Sequence, residues 1–177
     1  MQSKQELRKF IKEIFKNTNL LDLKQKSEII SSKILNHHKV LNYQNIAIFI
    51  GISDEVETLD TITKLISMGK NIFLPKIIND DKMIFSQINS IDDLQTGKFG
   101  ILEPKNNVDG ANKIEIILVP GVAFTKDGKR LGRGKGYYDK FLSKHKNIYK
   151  IGVCYDFQII SDFQTDDWDE MMDEVIF

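Results

Sequence analysis

The sequence predicts an α/β fold: one domain in three layers, a mostly parallel sheet with helices on both faces. Three observations predict it. Short continuous apolar runs, Asn45-Ile-Ala-Ile-Phe-Ile-Gly51, Asn71-Ile-Phe-Leu-Pro75 and Ile114-Glu-Ile-Ile-Leu-Val119, have the texture of strands buried on both faces. Stretches of helical periodicity alternate with them, the pattern of a parallel sheet with crossover helices. The length of 177 residues, 41% hydrophobic and 28% charged, is that of one ordinary globular domain.

Each element follows from local chemistry. Ser3 with Glu6 three places on forms a capping-box pattern, and Leu7, Phe10, Ile11, Ile14 and Phe15 then follow the helical period. A polar break at Asn17-Thr-Asn19 precedes a second helix with Leu23, Ile29, Ile30, Ile34 and Leu35 on its apolar face, running out near His37-His38. The strand 45–51 comes next, then a helix over Glu57 to Met68 stopped by Gly69, then the strand 71–75. Ile84 to Ile88 reads as a weaker strand and Ile91 to Pro104 as irregular chain. The strand 114–119 is ended by Pro120-Gly121, Tyr137 to Lys144 reads as a short helix, and Lys150 to Tyr155 as a further strand. Ligands of open parallel sheets sit beyond the carboxyl ends of the strands, here Gly51, Pro75, Pro120-Gly121 and Tyr155-Asp156.

Composition excludes several function classes. Lys plus Arg and Asp plus Glu are 25 each, so no lasting basic excess marks a nucleic-acid surface. The single cysteine, Cys154, permits neither an intrachain disulfide nor a cysteine metal cluster, and its place in an apolar strand predicts an inert core thiol. The start MQSKQELRKF has no apolar run of a secretory leader, and no apolar stretch approaches the ~20 residues that span a bilayer. A cytoplasmic protein without membrane partners is expected.

One segment carries chemistry. Between Lys126 and Lys135 five basic residues face one acid, Asp127, and Gly132, Gly134 and Gly136 alternate with Arg133 and Lys135. Glycines let the backbone come close to a ligand, successive amides make an anion nest, and the following helix adds its positive end. Arg and Lys supply forked and mobile donors. The stretch predicts a polyphosphate site, but neither common nucleotide motif is present: Lys135 is followed by Gly136 where a P-loop needs Ser or Thr, and the glycine spacing is not that of a dinucleotide fingerprint. Beside such a site Asp139 is a candidate for Mg²⁺. The acidic run Asp166-Asp-Trp-Asp-Glu170 with Asp173 and Glu174 could supply a second carboxylate, though by itself it reads as a solvated tail.

The stretch Leu118-Val-Pro-Gly-Val-Ala-Phe124 followed by Arg130-Leu-Gly-Arg-Gly-Lys-Gly-Tyr-Tyr-Asp139 resembles the signature of the 5-formyltetrahydrofolate cyclo-ligase family. Lys4-Gln-Glu-Leu-Arg8, Asp54-Glu-Val-Glu-Thr58, Gly100-Ile-Leu-Glu-Pro104 and Met172-Asp-Glu-Val175 match further family segments in the same order. The resemblance implies a Rossmann-like, CoA-transferase-like single domain over 1–177, and a monomer. It also implies ATP-driven, Mg²⁺-dependent closure of 5-formyltetrahydrofolate to 5,10-methenyltetrahydrofolate through a phosphorylated formyl oxygen. By matching position, the ATP ligands are Lys4, Gln5, Glu6, Leu7 and Arg8 with Arg130, Leu131, Gly132, Arg133, Gly134, Lys135, Gly136, Tyr137 and Tyr138. Ile52, Glu57 and Phe99 join Arg133, Gly134, Lys135, Gly136 and Tyr137 around the folate. Arg133, Lys135 and Tyr137 are the implied catalytic residues, and Asp139 and Asp173 the implied metal ligands. Two positions depart from the family pattern: Trp168-Asp169 stands where many members have His-Asp, and Phe99 where a Trp is common. The rival readings are another ATP-using ligase or kinase on the same scaffold, which would not need Ile52 and Glu57, and an RNA-binding module, which the zero net charge disfavours.

Overall fold

Helix α1 (Lys4–Asn17) begins where its cap dictates: the Ser3 side chain accepts from the Glu6 amide and the Glu6 side chain returns to Ser3. Asn19 caps α2 (Leu20–Leu35) in the same manner, and a short α3 (His38–Asn42) continues the pair where the sequence pattern fades. The computed structural model describes residues 3–97 and 100–177. From α3 the chain enters β1 (Asn45–Ala47), α4 (Leu59–Ser67), β2 (Asn71–Ile77) and β3 (Met83–Ile88). A small hairpin, β4 (Leu94–Thr96) and β5 (Leu102–Pro104), follows, then β6 (Ile116–Pro120) and a second small hairpin, β7 (Ala123–Phe124) and β8 (Arg130–Leu131). The chain closes with α5 (Tyr137–Lys144), β9 (Tyr149–Val153) and β10 (Glu174–Ile176).

The central sheet has the order β10-β9-β6-β1-β2-β3, parallel throughout except for β3, which returns antiparallel to β2 at one edge. Alternation along each strand sends neighbours to opposite faces. Ile46, Ile72, Leu74, Ile116, Leu118 and Ile151 meet Leu23, Ile30, Ile34, Ile62 and Leu65 of α2 and α4 on one face. Ala47, Phe73, Ile117 and Val119 meet Phe141 and Leu142 of α5 on the other. A third cluster seats α1, through Leu7 and Ile11, on Ala123 and Leu131 of the β7–β8 hairpin and on Phe163. The three-layer single domain is thus present, with three helices on one face and one on the other. Cys154 is buried in the second cluster, and burial pushes its thiol pKa well up, so it stays an unreactive core group.

The structure changes several expected boundaries. The strand expected over 45–51 has its ladder only over Asn45–Ala47, because the chain after Phe49 bends into a tight turn. The helix expected from Glu57 starts at Leu59, since Thr58 and Glu57 belong to that turn. The 91–104 segment is not irregular but holds the β4–β5 hairpin, and the acidic terminus is not a loose tail but ends in β10. Strands of two or three residues are too short to show a period. Phe10 and Ile29, placed on apolar helix faces by spacing, are 50% and 57% exposed.

Candidate active site

The chain leaves β1 toward β2 in one direction and returns to β6 on the other side, with α4 and α5 on opposite faces. The connections after β1 and β6 therefore part and leave a crevice beyond the carboxyl ends of these two strands. Two loops border it: the turn 49–58 from β1, and the segment 132–136 that follows the β7–β8 hairpin into α5.

The turn closes on itself. Thr58 Oγ1 donates to the Phe49 carbonyl at 2.7 Å and accepts from the Gly51 amide at 3.0 Å. A Cβ at Gly51 would stand 2.0 Å from the Val56 carbonyl oxygen, so only glycine allows the two limbs to meet. Ser27 of α2 accepts from the Glu57 amide at 3.0 Å and lies 2.8 Å from the Tyr155 hydroxyl, which donates to the Glu55 carbonyl at 3.1 Å. Ile52 is left half-buried and Glu57 exposed on the outer side of the turn. Glu57 also borders a cavity of about 490 Å³ between α2 and α4, lined by Ser27, Ser31, Thr61 and Ile91 among others, a volume in the range of small-molecule sites.

The loop is built in the opposite way. Among the described residues, no protein acceptor takes the N–H groups of Arg133, Gly134, Lys135 or Gly136. Gly134 and Gly136 have φ of +101° and +68°, a backbone that L side chains rarely adopt and that turns successive amides toward one side. The first turn of α5 starts at once behind them and adds its own unsatisfied amides. Arg8 of α1 donates through Nε to the Gly132 carbonyl at 2.9 Å, which fixes its guanidinium beside Gly134. Lys135 is exposed and has no carboxylate partner among the described residues. This is an anion-receiving cradle.

The other cations are already matched to acids. Arg133 grips Asp54 with both Nη atoms, at 2.6 and 2.9 Å, and reaches Glu55 through Nε at 3.1 Å, joining the two loops across the crevice. Burial pulls its pKa down, but the two carboxylates outweigh this and hold it raised. Glu55 is shifted up, chiefly by burial and against the opposing pull of Arg133. Lys4 bridges Asp166 and Asp169 at 2.6 and 2.5 Å, tying the start of α1 to the C-terminal segment. Burial lowers its ammonium pKa, and the two acids more than restore it. Arg130 is 5% exposed, pairs with Asp139 at 2.7 Å and also reaches the Pro120 carbonyl at 3.3 Å.

Several predicted site residues are spent elsewhere. The Leu7 and Leu131 side chains are 3% and 1% exposed in the core under α1, and the Glu6 carboxylate caps the helix, so none of the three turns a side chain to the crevice. Gln5 is exposed on α1. Tyr137 lies against the β2–β3 connection, its hydroxyl 3.4 Å from the Asn79 carbonyl, and Tyr138 packs edge-on to Phe85 with Arg130 over its ring. Phe99 lies outside the described residues.

Asp139 and Asp173, the expected metal ligands, each have a protein partner in this structure. Asp139 is occupied by Arg130, itself tied to Pro120 at the carboxyl end of β6. Asp173 accepts from the Lys150 amide at 2.7 Å at the start of β9. Pro120 pairs with Val153, three residues beyond Lys150. Asp139 also accepts from the Glu170 amide at 3.3 Å, which ties it to the same C-terminal segment that carries Asp173. Among the described residues no group of three His, Cys, Asp or Glu converges on a metal position.

Sequence reading placed Asp54 and Glu55 in a family-matching segment and Asp166 and Asp169 in an acidic run that could supply a metal carboxylate, but did not foresee that they pair with the predicted phosphate ligands Arg133 and Lys4. The available signal was charge complementarity: acid-rich turns in a chain whose basic loop needs partners.

Comparison with known proteins gives a consistent result. The family model of the 5-formyltetrahydrofolate cyclo-ligase family matches residues 1–177. The 5-formyltetrahydrofolate cyclo-ligase of Haemophilus influenzae is 30% identical, covering 99% of this chain and 97% of its own. A probable enzyme of that name from Caenorhabditis elegans is 29% identical over 98% of this chain and 92% of its own. The NMR structure of the Aquifex aeolicus 5,10-methenyltetrahydrofolate synthetase superposes with a TM-score of 0.86 at 31% identity, covering 98% of this chain and 88% of that one. The Mycoplasma pneumoniae synthetase gives 0.80 at 29%, covering 99% and 98%.

Proposed function

From its membership of the 5-formyltetrahydrofolate cyclo-ligase family, to which this chain belongs, we propose that the enzyme closes 5-formyltetrahydrofolate to 5,10-methenyltetrahydrofolate at the expense of ATP. The observation that carries this reading is the loop 133–136 of unpartnered amides, flanked by Arg8, Arg133 and Lys135, facing a turn that exposes Glu57. One side suits phosphate oxygens. The other suits a ring that offers N–H groups to a carboxylate.

A formamide oxygen is a poor leaving group, so ring closure needs that oxygen activated. Transfer of the γ-phosphoryl group to it gives an iminium phosphate. Folate N10 then attacks the formyl carbon, phosphate departs, and the N10 proton is lost to give the methenyl cation. Phosphoryl transfer of this kind requires positioning and charge neutralisation more than a side-chain nucleophile. Lys135 and the loop amides receive the migrating charge, Arg8 and Arg133 orient the phosphate chain, and Ile52 and Glu57 hold the pterin. Tyr137, at the head of α5 and turned toward Asn79, would reach the junction of the two substrates only on leaving that contact.

Magnesium is expected with the nucleotide, and Asp139 and Asp173 would hold it together with phosphate oxygens on giving up their present partners Arg130 and Lys150. No step is assigned to them; Asp139 orients Arg130 and Asp173 pairs with the Lys150 backbone at the start of β9. A single-domain monomer in the cytoplasm, acting on small molecules alone, completes the reading.

Incubation with Mg-ATP and 5-formyltetrahydrofolate should give an ATP-dependent rise in the near-ultraviolet absorbance of the methenyl product, with stoichiometric ADP. No rise, or a rise indifferent to ATP, sinks the proposal.

A further inference from the structure

We propose that Asp54 and Glu55 are positioning residues that hold Arg133 across the crevice, so that folate on the turn and triphosphate on the loop bind cooperatively. The inference rests on the function proposed above and deepens it. Arg133 belongs to the phosphate loop, yet three of its donors are taken by the other loop: both Nη atoms by Asp54 at 2.6 and 2.9 Å, and Nε by Glu55 at 3.1 Å. A guanidinium has five N–H donors in one plane. Two remain, one on each Nη, on a side chain that is 40% exposed. The paired grip on Asp54 fixes the plane of the fork, and Nε fixes its twist. Arg133 therefore keeps one free N–H on each Nη for an oxyanion, and its placement follows the two carboxylates that grip it.

The carboxylates that hold it are fixed by the same turn that presents Ile52 and Glu57. Glu55, its side chain 10% exposed, accepts from the Ile52 amide through its second oxygen at 3.3 Å, and its carbonyl accepts from Tyr155 at 3.1 Å. Glu57 is tied to α2 through Ser27 at 3.0 Å. A pterin bound between Ile52 and Glu57 stiffens the turn, and the turn carries Asp54 and Glu55. Whatever orders that pair orders Arg133. Triphosphate on Arg133 stiffens the turn in return, because coupling between two binding sites is reciprocal. Burial, which holds Glu55 above the ordinary carboxylate range, agrees with a group seated in the turn rather than swinging in solvent.

Calorimetric titration with a magnesium complex of a non-hydrolysable ATP analogue, with and without saturating 5-formyltetrahydrofolate, tests this. Wild type should bind the analogue on the order of tenfold more tightly when folate is present, and folate by the same factor when the analogue is present. The isosteric double variant Asp54→Asn/Glu55→Gln should bind each ligand alone yet show a coupling within about twofold of none. Arg133→Lys, which keeps the charge and removes the fork, should lose coupling likewise and serves if the double variant does not fold. Coupling retained in either variant, or absent from wild type that binds both ligands, overturns the proposal. Wild type that fails to bind one ligand alone overturns the function reading itself, and this inference with it.

Discussion

The turn 49–58, after β1, and the loop 132–136, after the β7–β8 hairpin that follows β6, face one crevice, but they treat backbone donors in different ways. The turn ties down several of its amides: Gly51 donates to Thr58, Ile52 to the Glu55 carboxylate, Glu55 to the Ile52 carbonyl and Glu57 to Ser27 of α2. The loop leaves its amides open and relies on positive-φ glycines to aim them. A closed turn presents fixed carboxylates, which suits a ligand with N–H groups. An open loop of donors suits an anion. Among the described residues, Arg133 is the side chain that hydrogen-bonds from the loop to the turn, which is why the two can work as a unit.

Substitutions in each region sharpen that contrast. The largest effect is expected for Lys135→Ala, which removes an exposed cation with no acid partner. It should lower kcat/KM about 100- to 1,000-fold while urea stability moves by less than about 0.5 kcal/mol. Equal loss of stability and turnover would make Lys135 structural.

Gly51→Ala should act in reverse. Its Cβ would meet the Val56 carbonyl at 2.0 Å, so the turn must open, at about 3 kcal/mol of unfolding free energy. Gly134→Ala, in the open loop with its nearest obstacle the Arg8 guanidinium at 3.8 Å, should cost only about 1 kcal/mol, from its positive φ, and should raise the KM for ATP. Similar stability losses at the two glycines would erase the distinction between the loops.

The smallest effect concerns pH. A carboxyl raised in the folded state binds protons more tightly there than in the unfolded chain, so stability falls as pH rises from the ordinary value near 4.5 through the raised one. Glu55→Gln should flatten that part of the curve of Tm against pH. An unchanged slope would mean Glu55 does not titrate abnormally.

Much of the fold was open to a sequence reading because its signals are local. The Ser3–Glu6 box set the start of α1, and Tyr137 to Lys144 is the helix that spacing predicted. The apolar runs became β1, β2, β6 and β9 of a parallel sheet. The short hairpins and β10 were hidden because two or three residues carry no period. Of the site, the glycine-basic loop stood out by composition and the family resemblance pointed to Ile52 and Glu57, but the state of each cation was not legible. Arg130 and Arg133 look alike as members of one motif. One is buried against Asp139 by its hairpin, and the other is half-open across the crevice.

The sequence by itself therefore determined the layers of the fold, the family, and the glycine-basic segment proposed to receive phosphate. Those follow from helical period, strand texture, caps and glycines, all of which act over a few residues. Tertiary structure alone decided the partners of each charge: Arg133 with Asp54 and Glu55, Lys4 with Asp166 and Asp169, Arg130 with Asp139. An ion pair forms where the fold brings opposite charges within a few ångströms and strips away water, and no spacing along the chain encodes a meeting between positions 4 and 169.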